Sequence, residues 1–198
     1  MFAETTSGGG LAADAAEVPA RADARRNRVR ILEAAEAAFA DEGLGVPVDE
    51  IARRAGVGAG TLYRNFPTKE ALFEAVLRHH LDALAEEAAR LAASDDPEAA
   101  LFGFLEHLAL QASAKRNLVD ALVGAGLVDT ESFTAHKRGV TAGLELLLHR
   151  AQDAGAVRPD VTVDDLFGMV VGCAMSPKAD EGSQSRMLSV VCEGLRAT

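Results

Sequence analysis

The stretch EIARRAGVGAGTLYRNFPTKEAL, residues 50–72, decides the fold of this chain. It reads as a helix, a tight turn, a second helix and the start of a longer one. Ile51, Ala52 and Ala55 make one apolar edge of the first helix. Gly56 follows where that helix must stop, and glycine takes a positive φ there at little cost. Val57 is apolar after the turn. Leu62 and Phe66, four residues apart, share a face of the second helix. A small residue at 52, a turn glycine at 56 and an apolar residue at 62 have the spacing of a helix-turn-helix, in which small residues let two helices approach and apolar ones pin the pair to a third. Left for solvent on the second helix are Thr61, Tyr63, Arg64 and Asn65, side chains that bond phosphates and base edges.

Working outward, Ile31, Leu32, Ala35, Ala38 and Phe39 give a preceding helix its buried stripe, which Gly43 ends. Pro47 suits the first residue of the next helix, where its missing N–H is harmless. Thr68 is placed to cap a long amphipathic helix over 69–92. Residues 1–20 are Gly/Ala-rich and acidic without a usable period, and read as a disordered arm. Arg21, Arg25, Arg26, Arg28 and Arg30 follow at the start of the first helix. They form either a solvated basic face or a row of contacts to a nucleic-acid backbone. Cations at a helix N-terminus oppose its dipole, which favours the second reading.

Residues 25–72 resemble the DNA-binding domain of the TetR/AcrR family of transcriptional regulators. The resemblance rests on RVRILEAAEAAFADEGL (28–44), VDEIARRAGVGAGTLYRNF (48–66) and PTKEALFEAV (67–76). It implies an all-α fold of about nine helices: an N-terminal three-helix helix-turn-helix domain over 21–80, joined by a long helix to a C-terminal helical bundle over 81–198. The DNA-facing set it implies is Arg28, Val48, Ala59, Thr61, Tyr63, Arg64, Asn65 and Lys69. Within that set we assign Thr61 and Arg64 to base edges, with Ala59 against a thymine methyl, and Tyr63, Lys69 and Arg28 to phosphates. Two departures stand out. Val46-Pro47 replaces the usual Thr or Ser at the entry to the second helix, and Gly58-Ala59 replaces a commoner Ser-Lys pair in the turn. Both remove expected backbone contacts and shift the load to Thr61, Tyr63, Arg64 and Lys69.

The net charge of −10 is unevenly spread. By residue count it is +1 over 19–80, −8 over 81–198 and −3 over 1–18. The acidic excess lies outside the helix-turn-helix, so a local basic face can act at close range while general repulsion weakens non-specific binding. Apolar residues make up 48%, much of it alanine, and strand-type alternation is nearly absent, which argues for helices. No apolar run reaches membrane-spanning length, and the N-terminus lacks the pattern of a signal peptide, so a cytoplasmic protein is expected. The two cysteines, Cys173 and Cys192, lie in apolar helical contexts and read as buried thiols.

Beyond residue 92 the chain reads as further helices over roughly 97–114, 117–127, 131–154, 162–176 and 184–196, with Thr162 as an N-cap and the Asp164-Asp165 pair in a first turn. KRNLVDAL (115–122) and AGAVRPDVTVDDL (154–166) resemble the C-terminal domain of SbtR-like regulators. The resemblance implies a homodimer through helices 162–176 and 184–196. Gly168, Gly172 and Ala174 would permit close approach, and Met169, Val170, Met175, Leu188 and Val191 would supply apolar contact. It also implies a ligand cavity, for which Phe102, Leu105, His107, Gln111, Phe133, His136 and Met169 are candidates. Each of these is also explained as core or, for His107 and Gln111, as a surface or satisfied polar pair. The scarcity of charge among them favours an apolar or weakly polar small molecule.

Enzyme motifs are missing: no G-x-S-x-G, no phosphate-loop pattern and no H-E-x-x-H. No metal site or cofactor is indicated. The expectation is a DNA-binding regulator, by family resemblance a repressor, that binds a palindromic operator on double-stranded DNA as a homodimer and is released by a small-molecule effector. The alternative is a helical interaction protein that keeps the fold without specific DNA binding, motivated by the two departures and the net negative charge.

Overall fold

The computed structural model describes residues 11–114, 130–174 and 181–197. Among these residues there are eight α-helices, one 3-10 turn and no β-strand. The helices are α1 (Leu11–Glu42), α2 (Val48–Ala55), α3 (Ala59–Asn65), α4 (Lys69–Leu91), α5 (Pro97–Ala114), α6 (Thr130–Asp153), α7 (Val163–Ala174) and α8 (Glu181–Leu195). The 3-10 turn is Gly43–Gly45. The chain divides into two compact units, Met1–Phe73 and Glu74–Thr198, a little earlier than residue 80. The helix expected over 117–127 lies outside the described residues.

In the first unit, α1 begins at Leu11, inside the stretch read as an arm. Five alanines among residues 11–20 give that stretch the strongest helix former without any amphipathic period. The core of the unit joins Ile31, Ala35 and Phe39 of α1 to Ile51 and Ala52 of α2, Leu62 of α3 and Phe66 beyond it, all nearly inaccessible to solvent. The Phe39 and Phe73 rings lie 4.3 Å apart at a tilted angle, an arrangement that adds about 1 kcal/mol to the burial itself. Val46, which replaces a polar residue of the usual pattern, is buried here at 2% exposure.

The second unit takes α4 from Glu74 onward together with α5 to α8. Its core is a single cluster that includes Leu84, Leu101, Phe104, Leu105, Leu144, Leu147, Leu166, Val170 and Leu188. Helices α4 and α6 meet through small side chains: a Cβ added at Gly143 would lie 2.5 Å from that of Ala88, and one at Gly139 would lie 3.2 Å from that of Ala85. The Arg150 guanidinium of α6 donates to the carbonyl oxygens of Ala92 and Ser94, in the turn that follows α4.

Helix α7 opens on a reciprocal cap. The Thr162 N–H donates to Asp165 Oδ2 at 2.9 Å and the Asp165 N–H to Thr162 Oγ1 at 3.3 Å. This accounts for Asp165 without a metal, and the Thr162 hydroxyl, which donates to the same Oδ2 at 2.7 Å, together with the Thr162 N–H holds the carboxyl below the usual range. The last described residues fold back on the α6–α7 loop. Arg158 N–H donates to Leu195 O at 3.0 Å and Ala197 N–H to Ala156 O at 3.1 Å. Cys173 and Cys192 are both free and buried, and burial pushes both thiols up.

Candidate nucleic-acid interface and the cavities of the second unit

The turn between α2 and α3 is made by Gly56 at φ +64° and ψ 36°. Val57 N–H donates to Ala52 O at 3.0 Å and Gly56 N–H to Arg53 O at 3.1 Å, so the end of α2 is closed by its own backbone. Gly58 then caps α3 in extended conformation without a side-chain acceptor. Pro47 is the N-cap of α2 rather than its first helical residue. The exposed edge of α2 carries an ion-pair group. Glu50 accepts from Arg53 at 2.7 Å and from Arg54 at 2.8 Å, and Arg54 also pairs with Glu42. These two guanidinium groups hold the Glu50 carboxyl down at about 2.

On α3, Tyr63 is 47% exposed, Ala59 and Arg64 are exposed, and Thr61 and Asn65 are half-buried. Arg64 lies back along its own helix. Its Nε donates to Gly60 O and its Nη2 to Thr61 Oγ1, each at 3.1 Å. Asn65 Nδ2 donates to Thr61 O at 2.8 Å. The structure thus brings Thr61, Arg64 and Asn65 into one polar group on the solvent side, opposite buried Leu62.

Arg28 and Lys69, the two cations assigned to phosphates, bracket this helix and are anchored. The Arg28 guanidinium lies 4.5 Å over the Phe66 ring and donates to Asn65 O at 3.4 Å. Lys69 Nζ donates to Val46 O at 2.7 Å and lies 5.8 Å from the Phe73 ring centre. Val48 is half-buried at the start of α2. Arg30, which the sequence groups only with the basic run, donates to Gly56 O at 3.5 Å. No local sequence signal links residues 30 and 56, because the contact depends on how α1 crosses the turn.

The cavity candidates separate. Phe102 and Gln111 line a cleft of about 900 Å³ between α5 and α8. Leu105 is fully buried core, and His107 Nδ1 lies 3.2 Å from Glu87 Oε1. Met169 lines a different groove, on the α7–α8 face. Phe133 and His136 fall on α6, with side chains outside the described ones. The cleft also takes Glu106, Ser185, Ser189, Glu193 and Arg196. On the last helix, residues 185, 189 and 193 repeat every four, a polar stripe that the sequence reading, which took only the apolar positions of this helix, did not include.

The opposite face of α8 presents Met187 and Val190, the latter 69% exposed, beside Gly168 and Met169 of α7. Val170 and Leu188, expected at a helix–helix interface between chains, are instead buried in the core of the chain itself. They lie on the inward stripe, which the apolar pattern of a short helix does not distinguish from the outward one. Met175 and the side chain of Ala174 lie outside the described ones.

Residues 31–76 match the tetR family of bacterial regulatory proteins, and residues 96–197 match the C-terminal domain of SbtR-like transcriptional regulators. A solved TetR regulator of Mycobacterium vanbaalenii is 45% identical, with 90% of this chain and 100% of that one covered and a TM-score of 0.77. The TetR regulator SCO0520 of Streptomyces coelicolor is 35% identical, with 86% and 99% covered and a TM-score of 0.76. An HTH-type transcriptional regulator of Staphylococcus aureus is 43% identical over 63 residues, 31% of this chain, and the match spans only 34% of that protein's length. The paired helices and left-handed turn of the first unit, the helical second unit and matches over both halves agree: the chain belongs to the TetR family of transcriptional regulators, with a C-terminal domain of the SbtR-like type.

Proposed function

We propose that this regulator is a cytoplasmic repressor that binds a palindromic operator as a homodimer and is released by a small molecule. The observation that carries it is the polar group on α3: Thr61, Tyr63 and Arg64 stand on the solvent side while Leu62 holds the helix to its core. Arg64 is the residue for a guanine edge, swinging from Thr61 to the base with Thr61 beside it. Tyr63, Arg28 and Lys69 meet phosphates, with Ala59, Val48 and Asn65 completing the contact surface. One short helix makes too few contacts for specific binding, so two copies are needed, their reading helices set about one DNA turn apart. The Met187–Val190 face of α8, with glycines at 168 and 172 of α7, supplies an apolar and close-packing surface for the second copy.

The test is footprinting of the purified chain on the DNA upstream of its own gene, with a random duplex as competitor and salt varied. A protected inverted repeat with a steep salt dependence supports the reading. Equal weak binding to both duplexes would remove it.

A further inference from the structure

We propose that the part of α1 ahead of its buried stripe is a second DNA-binding element, in which Arg25, in one row with Arg21 and Arg28, holds the phosphate backbone beside the base pairs that α3 reads. The inference rests on the operator-binding reading above and adds an element to it. Helix α1 runs from Leu11 to Glu42, yet its contribution to the core starts only at Ile31. Ahead of that point lies the densest cluster of cations in the chain: five arginines and one aspartate fall within residues 21–30, in a protein of net charge −10. Because the helix begins at Leu11, these arginines belong to its interior, and the helix dipole does not account for their placement. Like charges three and four residues apart on a helix repel one another, so the row is unfavourable until an anion meets it.

The arginines divide by what they already hold. Arg26 pairs with Asp23, and Arg30 donates to Gly56 O at 3.5 Å. Arg28, over the Phe66 ring and bonded to Asn65 O, fixes this part of α1 against the last residue of α3. Arg25 is exposed and makes no ion pair or hydrogen bond among the described residues. It stands three residues before Arg28, and Arg21 four before Arg25, so the three positions share one side of the helix. At about 1.5 Å per residue the row is about 10 Å long. Phosphates of one strand follow every ~3.4 Å of duplex axis, so the row has the length of two or three of them. It starts at the end of α3 and leads away from it, beside the base-reading side chains and not among them. Asp14 and Glu17, further out, confine the contact to residues 21–28.

The experiment measures binding of the full chain to its operator and to a random duplex over a salt series. Arg25→Ala should lower the slope of log affinity against log salt by about 0.9 for each protomer on the DNA, and Arg21→Ala/Arg25→Ala about twice as far. Affinity should fall by the same factor on both duplexes, because phosphates carry no sequence. Arg25→Lys, which keeps the charge, should restore most of the slope. Alanine forms helix at least as well as arginine, so a lost helix cannot mimic the effect. Arg90→Ala, the same change of net charge at an exposed position of the second unit, should leave the slope unchanged. An unchanged slope in Arg25→Ala, no further drop in the double variant, an equal drop in Arg90→Ala, or a loss confined to the operator would overturn the inference. Equal binding of the wild type to both duplexes, with the slope still falling in Arg25→Ala, would remove the operator reading and keep the second element.

Discussion

Arg64 Nη2 donates to Thr61 Oγ1 at 3.1 Å, one turn back along the same helix. The two side chains assigned to base edges therefore share one hydrogen bond before DNA arrives. Arg64→Ala should relax sequence preference by about 1–3 kcal/mol at one base pair. Lys69→Ala, which removes a cation anchored at the Val46 carbonyl, should weaken all sequences alike and lower the salt slope by about one. Competition binding against single-base variants of the operator separates the two, and identical profiles would refute the division of labour.

Gly56 holds the turn at φ +64°, and a Cβ there would also crowd Arg30 Nη2 at 2.5 Å. Gly56→Ala should cost about 1–2 kcal/mol from the left-handed backbone alone. For a unit of this size that lowers the melting midpoint by several degrees. Removing the crowding with Arg30→Ala in the same chain should leave most of the loss in place, because the guanidinium is flexible and the backbone is not. Full recovery in the double variant would place the effect in the side-chain contact.

Two helical glycines should respond to alanine with opposite signs. Gly103 on α5 is exposed with nothing within 4 Å of an added Cβ, so Gly103→Ala should stabilise by about 0.5–1 kcal/mol. At Gly143 the new methyl would lie 2.5 Å from Ala88 Cβ, and forcing α4 and α6 apart should cost about 1–3 kcal/mol, more than the helix gains. Denaturant midpoints of the two variants decide the matter.

Glu50 is held at about 2 by Arg53 and Arg54. A carboxylate with a depressed folded pKa contributes stability above its ordinary value, and that contribution disappears as pH falls from about 4.5 toward about 2. Wild type should exceed Glu50→Gln at neutral pH and converge with it near pH 2. The group is exposed, so the difference should be small and should shrink with salt. Melting curves across that window test the sign.

Val190→Glu places a charge at a 69% exposed apolar position of the proposed dimer face. Sedimentation should show a dimer for the wild type and a monomer for the variant, with helix content unchanged. A dimer that survives would move the interface elsewhere.

The turn and its flanking apolar residues were legible because Gly56, Leu62 and Phe66 obey local spacing rules, and the cap at Thr162 needs only its neighbour three residues on. The anchoring of Lys69 at Val46 and of Arg30 at Gly56 was not legible, since each joins elements far apart in sequence. The cavity lining was the least legible. Leu105 and Phe102 look alike on a helix apolar nearly all round, and only packing separates full burial from a wall of the cleft.

Tyr63 is the single tyrosine of the chain, which has no tryptophan. Near-ultraviolet excitation of this protein therefore excites one ring with appreciable yield, and that ring stands half in solvent on α3. Emission and its quenching would report from the proposed DNA-facing surface of an unlabelled, unmodified regulator. Titrating operator DNA into the protein would give the occupancy of that surface directly, with no probe attached to disturb it.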